Sequence, residues 1–199
     1  IVRADLVRDE STSNPSVKAE VSEVLGPYDD IPLLGVRRVI AQRMVAAKRN
    51  APHFAYVEEV DVTALECLRQ TYNAEADARG GSADSSAPRL SYLPFIARAL
   101  MNALADFPQC NAHYDEARNV LRRFHAVHLG VATHTPQGLK VPVVHAAQCL
   151  DLSDLAAHLQ RVTQAAREGT AAREQLKGST ITLTSLGNLG GIVSTPILN

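Results

Sequence analysis

The chain has 199 residues, a formal net charge of −1 and 46% hydrophobic residues. This length fits one domain, or one domain joined to a fragment of another, and the apolar content is that of a packed globular protein. A near-zero charge with both signs mixed along the chain argues against nucleic-acid binding, and no uncharged apolar run reaches the roughly 20 residues that a membrane helix needs.

The N-terminal 30 residues are predicted to lie outside the folded domain. Residues 1–9 carry no apolar pattern that completes a core and look like the end of another domain. Residues 10–30 are rich in Ser, Pro and acidic residues, which is the composition of a flexible linker. The folded domain is therefore expected to span residues 31–199.

The first half of this domain is predicted to be mainly helical. Apolar residues recur every three or four positions over residues 36–49, which predicts an amphipathic helix with a basic outer face. Residues 53–62 (HFAYVEEVDV) are β-branched and aromatic and predict a strand. Thr63 and Glu66 have the spacing of a capping box that opens a second helix. A strongly apolar third helix is expected over residues 93–107, ended by a proline.

The second half is predicted to consist mainly of strands joined by polar or glycine-containing turns. The predicted strands are residues 111–114, 120–124, 125–133, 139–144 and 180–186. One helix, residues 153–168, is expected to end at Gly169, because glycine adopts the left-handed conformation of a helix cap. The order is not a regular βαβ alternation, so we expect a mixed sheet with packed helices, an α+β fold.

The seven histidines show no metal-ligand pattern. As strand residues, His125 and His128 would point to opposite faces, as would His134 and His145, and no HExxH or Cys-His cluster accompanies them. We therefore expect ordinary surface or core histidines and no metal. The three cysteines are scattered without a CxxC pair, which indicates reduced thiols and a cytoplasmic location.

Three further motifs are weak by themselves. In the run TLTSLG the hydroxyls of Thr184 and Ser185 point to opposite faces of a strand, and a threonine-rich sheet edge is the simpler interpretation. The following GNLGG turn lacks the Lys-Ser/Thr of a phosphate loop. Arg37 and Arg38 belong to the basic face of the first helix, which is either only solvated or a cradle for a nucleotide phosphate.

Five segments, in the same order, resemble the catalytic domain of dihydrolipoamide acyltransferases, the core component of 2-oxo acid dehydrogenase complexes. They are IPLLGVRRVIAQRM, NAPHFAYVEEVDVTALE, LSYLPFIARALMNALADFPQCNAHYD, HLGVATHTPQGLKVPVV and ITLTSLGNLGGIVSTPILN. The second segment is most similar to the branched-chain type. Residues 1–9 resemble the tail of a peripheral-subunit-binding domain, and the lipoyl domain expected further upstream is not in the sequence.

This resemblance implies both a fold and a reaction. The implied fold is α+β, like chloramphenicol acetyltransferase, here incomplete at the C terminus, and the reaction is acyl transfer between a lipoyl group and coenzyme A. Thr184 then donates the hydroxyl that stabilises the tetrahedral oxyanion, worth about 3 kcal/mol, with Ser185 as the alternative one residue along. Arg37, and next Arg38, are the implied contacts of the coenzyme A phosphates.

The resemblance also implies partners and reveals one departure. Family members form homotrimers that build a larger core and work with a decarboxylase and a dihydrolipoyl dehydrogenase. Their catalytic histidine lies in an HxxxDG motif that does not occur among these 199 residues. We therefore expect the chain as given to lack the general base and to be inactive alone. The alternative is a non-catalytic assembly or interaction subunit on the same fold.

Overall fold

The computed structural model describes residues 28–79, 89–185 and 193–198. The chain divides into two units, residues 1–40 and 41–199. Most described side chains of the first unit are exposed, whereas the buried core belongs to the second. The N-terminal tail and nearly all of the linker that the sequence predicts lie outside the described residues.

Within the described residues, four α-helices form close to the ranges that the sequence predicts to be helical. They are α1 (Gly35–Asn50), α2 (Thr63–Arg79), α3 (Tyr92–Asp106) and α4 (Leu152–Glu168). In α3 the buried residues Ala97, Met101 and Leu104 recur at helical spacing, so one face of this helix belongs to the core. Helix α4 follows Asp151, whose carboxylate accepts a hydrogen bond from a backbone N–H of the first turn. The helix ends at Gly169 with a φ of 77°, which confirms the predicted glycine cap.

The strands form a hairpin and a separate mixed sheet. The hairpin consists of β1 (Ala112–Asp115) and β2 (Val120–Arg123), and the mixed sheet of β3 (Leu129–Thr135), β4 (Gly138–Lys140), β5 (Val143–Val144) and β6 (Ile181–Thr184). Strand β3 pairs antiparallel with β4 and β5 and parallel with β6. The parallel register places Leu129 opposite Ile181 and Ala132 opposite Thr184.

The core lies between one face of the mixed sheet and helices α3 and α4. Leu129 and Val131 of β3 point to this face and belong to one apolar cluster with Ala97 of α3 and Leu155 of α4. Because side chains alternate along a strand, the even-numbered residues of β3 point to the opposite face. The sheet therefore has one face covered by helices, as the α+β expectation requires.

The prediction of a strand over residues 53–62 is wrong. This segment is in neither a helix nor a strand, and Phe54 and Tyr56 are 92% and 79% exposed. The β-propensity of aromatic and β-branched residues reflects packing against neighbouring strands. No described strand pairs with residues 53–62, so their composition alone does not produce one.

The strand predicted from residue 125 begins only at Leu129. Before it, the side-chain amide of Asn111 donates hydrogen bonds to the carbonyls of Phe124 and Ala126 at 2.9 and 3.0 Å. These carbonyls are thereby held by a buried side chain instead of a neighbouring strand. Between β2 and β3 the backbone is therefore held by the Asn111 side chain and not by pairing with a strand.

Helix α2 begins at Thr63 as predicted, but without the predicted capping box. Asp61 accepts hydrogen bonds from the backbone N–H and the hydroxyl of Thr63. The Glu66 carboxylate instead binds the Arg69 guanidinium and the Tyr92 hydroxyl at the start of α3. These hydrogen bonds, that of Arg69 first, lower the pKa of Glu66 to about 2. Glu66 therefore joins two helices rather than capping one.

Gly130 in β3 lies where three segments approach closely. A Cβ atom at this position would meet Val141 Cγ1 at 2.9 Å and Thr182 Oγ1 at 3.0 Å. Such distances are shorter than ordinary van der Waals contact, so β6 can pair with β3 here because residue 130 has no side chain.

Candidate functional site

Thr184 is the last residue of β6, and its neighbours in the strand determine which way it points. Ile181 and Leu183 pack against the apolar core. Because side chains alternate along a strand, Thr182 and Thr184 point to the opposite face, where both are exposed. A hydroxyl at this position is accessible to a ligand, and the backbone that carries it is held by the parallel pairing with β3.

Other polar groups share this face of the sheet. His134 of β3 is exposed and lies two residues beyond Ala132, the partner of Thr184. Ser185 is also exposed but comes after the end of β6, so its predicted orientation opposite Thr184 stays a prediction. Thr184 therefore lies in the paired part of β6, whereas Ser185 follows directly after it.

Arg37 and Arg38 lie in the first turn of α1, and both side chains are exposed. No acidic residue occurs in this turn, so no carboxylate of the turn itself competes with an anionic ligand. The arginines belong to the first unit, whereas Thr184 belongs to the second. That the arginines and Thr184 contact one and the same substrate therefore stays a prediction.

A cavity of about 490 Å³ lies in the second unit, and we name it the Lys48 cavity. Its lining consists of Lys48, residues 53–56 and residues 194–197. This lining supplies an ammonium group, the hydroxyls of Ser194 and Thr195, and two aromatic rings. Such a surface suits a ligand that combines an anionic group with an apolar portion.

His53 connects the two sides of the Lys48 cavity. Its Nε2 accepts a hydrogen bond from the backbone N–H of Leu198 at 3.1 Å. Nδ1 lies 2.9 Å from the carbonyl oxygen of Ala51 and, with Nε2 as acceptor, is the nitrogen that donates. No local pattern in the sequence indicates this contact, because His53 and Leu198 are 145 residues apart.

Two other histidines come together beside the mixed sheet. The rings of His128 and His145 have centroids 5.1 Å apart at an angle of 65°. His128 Nδ1 accepts a hydrogen bond from the N–H of Ala146 at 3.0 Å, and Ala146 has a φ of 49°. Thr180 Oγ1 accepts from the backbone N–H of His128 at 3.0 Å. His128 and His145 are 17 positions apart in the sequence, and no local pattern predicts their contact.

His128 makes the stability of the fold depend on pH. Its partial burial, and then the charge of His145, lower the pKa of His128 below its usual 6.5. The unfolded chain therefore binds a proton at higher pH than the folded chain does, and the free energy of unfolding falls as pH drops through 6.5 and on below it. Urea unfolding measured between pH 8 and pH 5 is expected to show this loss.

Two asparagine variants separate this effect from other titrations. The Asn amide oxygen of His128→Asn can accept the Ala146 N–H without titrating, so this variant should lose less stability on acidification. His158→Asn replaces a histidine whose Nδ1 lies 2.8 Å from the Asp154 carbonyl oxygen within α4, and it is the matched control for the loss of a histidine. An unchanged slope in His128→Asn would assign the pH dependence to other groups.

The remaining sequence predictions concern metals, thiols and membranes. The described residues contain no group of three or more His, Cys, Asp or Glu side chains that could hold a metal ion. Cys67, Cys110 and Cys149 are all free and exposed. None of the helices in the described part of the chain is both long and apolar enough to cross a membrane.

The chain is similar in sequence to known acyltransferases. Residues 26–199 match the model of the 2-oxoacid dehydrogenases acyltransferase family (catalytic domain). The lipoamide acyltransferase component of the branched-chain alpha-keto acid dehydrogenase complex of Pseudomonas putida is 52% identical over 172 residues. That match covers 86% of this chain but 39% of the relative, so the chain spans less than half of its length.

Two solved structures are similar in fold. The dihydrolipoamide acetyltransferase of Azotobacter vinelandii matches with a TM-score of 0.78 and 30% identity, covering 87% of this chain and 69% of the other. That structure was used to study a serine, a histidine and an asparagine in its catalytic mechanism. The cubic core of a pyruvate dehydrogenase multienzyme complex also has a TM-score of 0.78, with 29% identity over 87% of this chain and 68% of the other. The expected fold is thereby confirmed.

Proposed function

This chain belongs to the 2-oxoacid dehydrogenase acyltransferase family (catalytic domain), and we propose that it transfers an acyl group between dihydrolipoamide and coenzyme A. The observation that carries the proposal is Thr184, whose hydroxyl lies on the exposed face of a strand that is fixed by pairing with β3. The 52% identity to a branched-chain component supports a branched acyl group as the substrate.

The chemistry requires a thiolate, a thioester and a hydrogen-bond donor. The attacking thiolate adds to the thioester carbonyl, and the negative charge that develops on the carbonyl oxygen is met by the Thr184 hydroxyl. Collapse of the tetrahedral intermediate expels the other thiolate, so the acyl group changes carrier without oxidation or reduction. The resemblance assigns proton removal from the thiol to the histidine of an HxxxDG motif, which does not occur in the sequence, so activity is to be measured on the protein with its natural termini.

The organisation of the protein around this reaction is also a proposal. Residues 31–199 form the catalytic domain, residues 10–30 a linker, and residues 1–9 the tail of a peripheral-subunit-binding domain. The lipoyl group is carried on a domain outside this chain. Trimers assemble into a larger core that works with a decarboxylase and a dihydrolipoyl dehydrogenase, and the similarity to a cubic core supports the assembly.

Replacement of Arg37 tests the proposed contact with coenzyme A. Loss of a charge-assisted hydrogen bond to a phosphate is expected to raise the KM for coenzyme A about tenfold in Arg37→Gln, with little change in kcat. Arg38→Gln should show a smaller effect. The assay follows transfer from isobutyryl-coenzyme A to dihydrolipoamide, using the protein with its natural termini.

A matched control and a second substrate make this test specific. Arg43→Gln removes another exposed cation of α1 and should leave KM unchanged. Arg37→Gln should also discriminate less between coenzyme A and its analogue without the 3′-phosphate, if that phosphate is the contact. Equal effects at all three arginines would indicate a general charge effect.

The same assay bears on the alternative function. If the protein shows no turnover but forms mixed oligomers with a complete acyltransferase, the result would favour the non-catalytic assembly subunit.

A further inference from the structure

We infer that His53 is a positioning residue, whose imidazole holds residues 193–198 in place as one wall of the Lys48 cavity. Residues 193–198 lie in neither a helix nor a strand, and their side chains are all exposed. Packing therefore contributes little to fixing this segment. The hydrogen bond from the Leu198 N–H to His53 Nε2 ties it to a distant part of the chain.

The imidazole is itself fixed to the end of α1. The backbone N–H of Ala51 donates to the Ala47 carbonyl, and that of His53 donates to the Ala51 carbonyl, both at 3.0 Å. The ring adds a second bond to Ala51 through Nδ1, so its orientation is set by the turn that ends the helix. With Nδ1 as donor, Nε2 carries a lone pair and can accept from Leu198.

The location of the segment relates this bond to the Lys48 cavity. Ser194, Thr195 and Ile197 line the Lys48 cavity, and they lie between β6 and the attachment point at Leu198. The His53 ring accepts from the backbone N–H of Leu198, so the inferred role of the ring is to hold this wall of the cavity in position. The kinetic part of this inference rests on the proposed acyl transfer, whereas the structural part does not.

Asparagine and glutamine distinguish the two ring nitrogens. In His53→Asn the amide occupies the position of Nδ1 and can still bind Ala51, but it cannot reach Leu198. In His53→Gln an amide oxygen reaches the position of Nε2 and can accept the Leu198 N–H. The two variants therefore separate the loss of this hydrogen bond from the loss of the imidazole.

Hydrogen–deuterium exchange of residues 193–199 in the full chain tests the attachment directly. His53→Asn is expected to accelerate exchange in this segment about fivefold, whereas His53→Gln should stay within about twofold of the wild type. Exchange in residues 152–168 of α4 reports on the fold and should be unchanged. Unchanged exchange of residues 193–199 in His53→Asn, or equal acceleration in both variants, would overturn the inference.

Kinetics then test whether the attachment shapes the site. In the protein with its natural termini, His53→Asn should raise the KM for coenzyme A about fivefold with kcat within about twofold, and His53→Gln should restore KM. Leu198→Pro, which removes the donor N–H, should reproduce this KM effect, and adding His53→Asn to it should change KM little further. A changed exchange rate with an unchanged KM would overturn the positioning role. A protein without transferase activity would refute the proposed function, while the exchange result would still decide the attachment.

Discussion

Thr184→Ala is expected to lower kcat about 10²- to 10³-fold and to leave KM almost unchanged. The hydroxyl matters most when negative charge develops on the thioester oxygen, so its removal destabilises the transition state far more than the bound substrate. Thr184 is exposed at the end of β6, and a smaller side chain there disturbs no packed core. The measurement is steady-state transfer between isobutyryl-coenzyme A and dihydrolipoamide by the protein with its natural termini.

Three variants make the Thr184 prediction specific. Thr184→Ser keeps a hydroxyl and should retain much of kcat. Thr182→Ala removes a hydroxyl from the same face of the same strand, two residues away from the proposed donor, and should lower kcat by less than tenfold. A large loss of kcat in Ser185→Ala, together with none in Thr184→Ala, would show that the alignment is displaced by one residue.

Leu129→Ala is expected to lower the free energy of unfolding by about 2–5 kcal/mol. Leu129 is 0% exposed in the centre of the mixed sheet. It lies opposite Val144 of β5 on one side and Ile181 of β6 on the other. Its truncation leaves a cavity in the apolar cluster against which Ile181 and Leu183 of β6, the strand that carries Thr184, are packed. Urea unfolding followed by far-ultraviolet circular dichroism measures the loss.

Leu139→Ala is the matched control for this core substitution. Leu139 lies in β4 of the same sheet but is 55% exposed, so the same chemical change there should alter the free energy of unfolding by less than about 1 kcal/mol. Similar losses in both variants would mean that the cluster around Leu129 is not the stabilising core of this domain.

The elements that sequence predicts well are those whose signals are local. Helix α3 follows from apolar residues repeated at helical spacing, and α4 stops at Gly169 because glycine readily takes a positive φ. The predicted strand over residues 53–62 fails because a strand also needs a partner. Composition describes the side chains of a segment, but it does not show whether another strand is available.

In the candidate site, too, local features can be predicted from the sequence and contacts between distant segments cannot. The resemblance points to Thr184 because the sequence ITLTSLGNLGG occurs at the expected place among the five segments. The alternation of side chains along β6 explains why the Thr184 side chain is exposed. The contact between His53 and Leu198, and that between His128 and His145, join residues with no common local pattern. Such contacts depend on how distant segments pack, so they become visible only in the folded chain.

The close approach at Gly130 also constrains how this sequence can diverge. Any larger residue at position 130 would collide with Val141 on one neighbouring segment and Thr182 on β6. A side chain at position 130 needs smaller residues at positions 141 and 182. Gly130, in contrast, cannot become smaller to make room for a larger residue at either of them. Substitutions at the three positions should therefore be interdependent, and the spacing of β3 and β6 restricts which amino acids descendants of this chain can accept there.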